Sequence, residues 1–272
     1  MDNRPIGIFD SGLGGLTVLR EIIKEAPNEN IIFFGDTARF PYGPRDLKEV
    51  RVFALSIADF LYKQNVKLLV VACNTATASA LPEIQAGFDI PVTGVIEAGA
   101  RTACAATISK RVGVIATKGT VDSKAYDNAI KKIDKSIKLF SNAAPLLVEY
   151  VEEGILEGKI LEDAICGYLK PLFKEDIDVL ILGCTHFPLI EGTINKCCDG
   201  TVKVISSAIE TSKEVKSILE KNNIENDWKS KPKRIFYETG NTSKFFTVGK
   251  MFLGEKIKEV VKVDLTSQSR SP

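Results

Sequence analysis

Two cysteines stand out because each lies where a buried strand should run out. LLVVACNTATASAL (residues 68–81) carries Cys73 between an apolar, β-branched run and the cap-type residues Asn74 and Thr75, which open an Ala-rich helix. A helix N-terminus gathers unpaired N–H groups and the positive end of a dipole. A thiol placed there is expected to lose its proton below its free value of about 8.5, and a carboxylate can bind beside it. VLILGCTHFPLI (residues 179–190) repeats the design around Cys184, with Pro188 near the first turn of the helix expected to follow.

Nearly equal offsets separate Cys73 from Cys184 and Gly7 from Gly113, the glycines belonging to the similar strand ends IGIFDSGLGGLTV and VGVIATKGTV. Matched offsets predict one half-domain used twice, and facing halves would bring the two thiols face to face. His186, the only histidine, is expected to hydrogen-bond Cys184 or a substrate, since one imidazole beside one thiol offers too few ligands for zinc. Asp10 and Glu152 are the acids expected near the thiols. Cys104, Cys166, Cys197 and Cys198 are expected to pack as small hydrophobes.

The elements that must position these groups alternate along the chain. Besides the strands leading into the two cysteines, strands are predicted at 6–10, 31–34, 90–95, 112–116, 137–140, 202–205, 234–238 and 260–263. Helices are predicted over 16–26, 46–64, 97–107, 121–133, 209–221 and 243–253, with a helical region through 148–172. This order predicts an α/β fold with mostly parallel sheets, right-handed crossovers and ligands bound beyond the carboxyl ends of the strands. Asp10, Cys73, Thr117 and Cys184 occupy such ends. Trp228, in a polar stretch, is expected to pack, and residues 266–272 to fray.

A chain of 272 residues has room for one large α/β domain or two lobes. Its 36 Lys plus Arg against 35 Asp plus Glu leave a net charge of +1 without a basic stripe, which argues against nucleic acid and anionic membrane and for a small-molecule partner. Six cysteines without a CxxC pair or regular spacing argue against a disulfide framework or a zinc cluster and fit a reducing cytoplasm. The amino-terminal residues lack the apolar core of a signal peptide, and no run approaches the ~20 apolar residues of a membrane helix. GLGG after the first strand, with Asp36 further on, invites a dinucleotide reading. The G-x-G-x-x-G pattern fails at Thr17, however, and a tight turn explains the glycines.

Five strings together, DSGLGGLTV from Asp10, GDTARFPYG from Gly35, ACNTATA from Ala72, GCTHFPL from Gly183 and ETG from Glu238, resemble the glutamate racemases of the cofactor-independent amino-acid racemase superfamily. The likeness runs in order over nearly the whole chain. It implies two similar α/β lobes related by a pseudo-two-fold, residues 1–97 with 208–272 carrying Cys73 and residues 98–207 carrying Cys184. One cleft would hold glutamate between them without cofactor or metal. Carried over, the family's roles have Cys73 deprotonating D-glutamate and Cys184 L-glutamate. Asp10 would support Cys73, and Glu152 and His186 would support Cys184. Asp10, Ser11, Tyr42, Gly43, Asn74, Thr75, Thr185 and His186 would hold the substrate, with Thr117 and Thr120 assisting. The resemblance further implies a cytoplasmic enzyme supplying D-glutamate for peptidoglycan, in a family where homodimers are common. Small departures, Ala116-Thr117 for Gly-Thr and Ser207-Ala208 for Ser-Gly, touch no proposed catalytic group.

Three other readings compete. Racemisation of aspartate or another amino acid is the nearest; His186 after Thr185 favours glutamate, because aspartate racemases usually carry Glu there. A cysteine hydrolase would use Cys184 activated by His186 and leave Cys73 dispensable. A nucleotide-binding module would use GLGG and Asp36.

Overall fold

Apolar runs too continuous for a one-sided strand must be covered on both faces, and the protein does this with two separate parallel sheets. The computed structural model describes residues 1–226 and 231–265, so Trp228 and the segment 266–272 lie outside the described residues. The chain runs β1 (Ile6–Asp10), α1 (Leu16–Glu25), β2 (Ile31–Gly35), α2 (Leu47–Lys63), β3 (Leu68–Val71), α3 (Asn74–Gly87), β4 (Val92–Gly94) and α4 (Val95–Ala106). It continues with β5 (Arg111–Ala116), α5 (Lys118–Asp122), α6 (Ala125–Ile133), β6 (Lys138–Ala143), α7 (Pro145–Glu152), α8 (Lys159–Phe173) and β7 (Val179–Gly183). After a 3-10 turn (Phe187–Leu189) come α9 (Glu191–Cys198), β8 (Lys203–Ser206), α10 (Ser207–Asn222), β9 (Arg234–Glu238), α11 (Thr242–Leu253) and β10 (Val260–Lys262).

The first sheet has the order β10-β9-β2-β1-β3-β4 and the second β6-β5-β7-β8. The strand order β2-β1-β3-β4 thus recurs as β6-β5-β7-β8, with β9 and β10 added to the first sheet at the β2 edge. In the first sheet Ile6, Ile8 and Phe33 face α1, α10 and α11, while Phe9, Phe34 and Val71 face α2 and α3. The second sheet is likewise buried on both sides, Leu180 and Leu182 against α7 to α9 and Val114 and Ile181 against α4 and α6. Register fixes the strand ends. Asp10 is level with Gly35, and Phe9 with Val71, so Asp10 and Cys73 leave adjacent strands together. Ala116 pairs with Gly183, which does the same for Thr117 and Cys184.

The structure departs from the periodicity in places. The helix expected over 121–133 is broken, because Ser123 donates to the Thr120 carbonyl and accepts from the Ala125 N–H, and Lys124 takes a left-handed φ of +57°. The helical region through 148–172 is split by Gly154 (φ +78°) and Gly158 (φ +103°). Cys184 does not open a helix: the 3-10 turn intervenes, and α9 starts only at Glu191.

Cys166 on α8 and Cys197 on α9, expected as packed thiols, form a disulfide. Packing of these two helices brings their Cα atoms to 5.7 Å, well within bridging range, across a sequence separation of 31 that carries no pairing signal. Closing a loop of that length is expected to stabilise the oxidised protein by about 3–4 kcal/mol. Thermal unfolding with and without dithiothreitol should therefore show a lower midpoint after reduction, and Cys166→Ser should abolish the difference.

Candidate active site

The carboxyl ends of both sheets open onto one cavity of about 510 Å³, lined by Ser11, Cys73 and Asn74 from the first and Thr117, Cys184 and His186 from the second. Both cysteines are almost fully covered, Cys73 at 6 % exposure and Cys184 at 5 %. Their surroundings differ in charge.

Cys73 caps α3, and its thiol donates to Ser11 Oγ at 3.7 Å. Burial, reinforced by the nearby Asp10 carboxylate, pushes its pKa up to about 12, with the Ala76 N–H and Ser11 opposing. The acidified thiol expected from a helix N-terminus is therefore overturned. Removing the sulfur from water outweighs the N–H group directed at it. Asp10 is fully buried and lies between Gly12, whose N–H donates to Oδ2 at 2.9 Å, and Thr185, whose hydroxyl donates to Oδ1 at 3.4 Å. Burial raises its pKa above the usual carboxylate range, against the pull of the His186 charge and the Gly12 and Gly15 N–H groups. Its effect on Cys73 is one of charge; its hydrogen bonds go elsewhere.

Cys184 faces a cation instead. His186 Nδ1 lies 3.7 Å from the Cys184 sulfur, and Nε2 lies 2.7 Å from Glu152 Oε1. Burial works against the charge on His186, yet its bonds to Cys184 and Glu152 outweigh it and push its pKa up to about 10. An imidazolium donating from both nitrogens links α7 to the Cys184 loop.

The remaining predicted residues divide by what their polar atoms do. Asn74 accepts at Oδ1, while its buried Nδ2 has no protein partner. Thr75 meets Thr117 at 2.9 Å and Thr120 at 3.3 Å, a hydroxyl cluster joining the two halves. Tyr42 lines the cavity, and its hydroxyl donates to buried Asp36, which also accepts from Arg39 at 2.7 Å and Thr239 at 2.9 Å. Asp36 is fully buried with both oxygens bonded to protein donors, which speaks against its reaching a ribose and against the nucleotide reading. The Gly43 carbonyl accepts from the Gly119 N–H at 2.8 Å.

Two features escaped the sequence reading. Thr17 is buried and donates to the carbonyls of both Gly14 and Thr185 at 2.8 Å, tying the first turn to the Cys184 loop. The GLGG glycines serve room rather than left-handed backbone. A Cβ on Gly14 would lie 2.6 Å from the His186 ring and overlap the Thr185 hydroxyl. Among the described residues no group of three or more His, Cys, Asp or Glu is placed to hold a metal ion, and no helix is long and apolar enough to cross a membrane.

Two parallel α/β sheets that each end in a buried cysteine at a common cavity define a class of enzyme able to offer acid and base groups from two sides. The profile of the Asp/Glu/Hydantoin racemase family matches residues 6–214, and the chain belongs to that family, in its glutamate racemase branch. It is 43 % identical over 256 residues to a glutamate racemase of Exiguobacterium sibiricum, covering 94 % of each chain. The solved structure of a glutamate racemase isoform from Bacillus anthracis is 43 % identical, with a TM-score of 0.93, over 97 % of this chain and 99 % of that one. The Francisella tularensis glutamate racemase, solved in complex with D-glutamate, is 41 % identical with a TM-score of 0.92, over 98 % and 100 %.

Because the chain has one histidine, its imidazole C–H signal can be followed by NMR without ambiguity. It should stay in the charged position across about pH 5–8, where an ordinary histidine titrates, and move only near pH 10. In Glu152→Gln the midpoint should fall. Since the folded pKa lies above the unfolded one, His186 stabilises the fold fully below about pH 6.5, and this contribution should fade as pH rises through about 10. Denaturant unfolding of wild type and His186→Asn across that range checks the sign.

Proposed function

We propose that this chain interconverts L- and D-glutamate without a cofactor, one cysteine removing the α-proton and the other returning a proton to the opposite face. The observation that carries the reading is the presence of two buried sulfurs, one from each sheet, in a single cavity. Inverting a stereocentre needs a base and an acid on opposite sides of one carbon. Two groups of one kind let the same site run in both directions.

The two thiols stand in unequal surroundings. His186 Nδ1 lies 3.7 Å from the Cys184 sulfur, whereas burial and the Asp10 carboxylate push the Cys73 thiol up to about 12. L-glutamate would lose its α-proton to Cys184 and gain one from Cys73. Product release leaves Cys73 as thiolate and Cys184 as thiol, the state that D-glutamate needs for the reverse reaction, so no net proton is consumed. Asn74 Nδ2, the Thr75 and Thr185 hydroxyls, Ser11 and the Tyr42–Gly43 loop would hold the carboxylates and ammonium. Preorganised N–H and O–H donors in a cavity sheltered from water are what a developing carbanion requires.

The two-sheet arrangement supports dividing the chain into residues 1–97 with 208–272 and residues 98–207. The reading carries with it a cytoplasmic role supplying D-glutamate to peptidoglycan and assembly as a homodimer. Relatives of nearly the same length named glutamate racemase, one of them solved with D-glutamate, favour glutamate over aspartate.

Following L-glutamate by circular dichroism should show decay to a racemic mixture. Cys73→Ala and Cys184→Ala should each reduce the rate by at least about 10³-fold, at the upper end of what one positioned acid or base supplies. Full activity in either variant would overturn the two-thiol reading. A covalent adduct on Cys184 with Cys73 dispensable would instead favour the hydrolase.

A further inference from the structure

We propose that Tyr126 is a positioning residue that orients the Asn74 side-chain amide so that its NH2 group faces the substrate carboxylate. This rests on the glutamate reading above and deepens it.

Asn74 is the first residue of α3, next to Cys73, and is 2 % exposed. An amide can present either its oxygen or its NH2 to a cavity, and only the NH2 is useful to a carboxylate. Its backbone position on α3 does not choose between the two. The choice falls to the partner at the far side of the amide, where the Tyr126 hydroxyl donates to Oδ1 at 2.8 Å. That bond leaves Nδ2 as a buried donor without a protein partner on a residue lining the cavity. An unpaired buried donor is costly by itself and is satisfied when a carboxylate arrives.

Tyr126 is equipped to hold this geometry. It lies on α6, in the other half of the molecule, with its ring 3 % exposed among Ile96, Ala100, Val114 and Ile130. Its hydroxyl passes close to Gly99 and emerges at Asn74. Burial, assisted by the charge of Glu97 and opposed by a hydrogen bond with Ser207, holds the phenol above its ordinary pKa, which keeps the hydroxyl protonated at neutral pH. A phenylalanine would fill the same space without the hydrogen.

Tyr126→Phe tests this with little change in packing. For both enantiomers KM should rise about fivefold to tenfold, the size of one lost hydrogen bond, while kcat changes less than about twofold. Placed in an Asn74→Ala background, Tyr126→Phe should add nothing further to KM. An unchanged KM, or an equal penalty in both backgrounds, would overturn the proposal; the second result marks a merely structural tyrosine. A neutron structure of the wild-type protein gives a readout that needs no substrate. It should place the deuterated amide nitrogen of Asn74 toward the cavity and a deuteron on the Tyr126 phenol oxygen directed at Asn74 Oδ1, and a reversed amide sinks the proposal even if glutamate is racemised. A wild-type protein inert toward glutamate would instead defeat the functional reading and leave the neutron result to judge the orientation.

Discussion

A single buried imidazole, held between a carboxylate and a sulfur, sets the electrostatics of the cavity. His186 joins Glu152 to Cys184, and in surroundings this poor in water each member of the row makes sense only with the others. Without the carboxylate, the charge on the ring would lack compensation. At Cys73 the neighbouring charged group is the Asp10 carboxylate instead, and together with burial it opposes negative charge on that sulfur. The site is therefore polarised before any ligand enters, with a cation beside one thiol and an anion beside the other.

The scaffold makes that polarity available to one molecule. Parallel strands place all their carboxyl ends at one edge, so each sheet delivers its cysteine, its small polar residues and its following N–H groups to the same side. Repetition of the strand order in the second sheet supplies an equivalent edge, and α4 and α10 lie where the two halves join. A cavity between two such edges is lined from both sides with donors for carboxylates, while Glu152 and the Ser and Thr hydroxyls in its wall can accept from an ammonium group.

Contacts across the halves do more than hold them together. Thr17 fastens the first turn to the Thr185 carbonyl, Gly43 meets Gly119, Thr75 joins Thr117 and Thr120, and Tyr126 reaches Asn74. Each ties a residue next to one cysteine, or a cavity wall, to an element of the opposite half. The position of a binding group on one side is thus set in part by the other. Gly14 belongs to the same economy of space, because the loop that carries Thr185 and His186 closes onto it without room for a methyl group.

Much was legible in the sequence because it depends on local pattern. Alternation of strand and helix, the two cysteines at strand ends, the doubled half and the glycine-rich turn all follow from side-chain periodicity and from residue types that suit only certain backbone positions. The motifs that resemble glutamate racemases named most of the cavity wall. What tertiary structure alone decided are quantities that depend on distance through space. Local sequence placed Cys73 at a helix start, but burial and Asp10 determine that its thiol is a weak acid. The same sequence-level view made Cys166 and Cys197 two ordinary hydrophobes, whereas packing of α8 on α9 makes them a bonded pair. It did not show that the Tyr42 hydroxyl is taken by Asp36, and it passed over Tyr126 and Thr17, whose partners lie far along the chain. Periodicity reports which way a residue faces; hydrogen-bond partners, water access and neighbouring charge exist only once distant segments have been brought together.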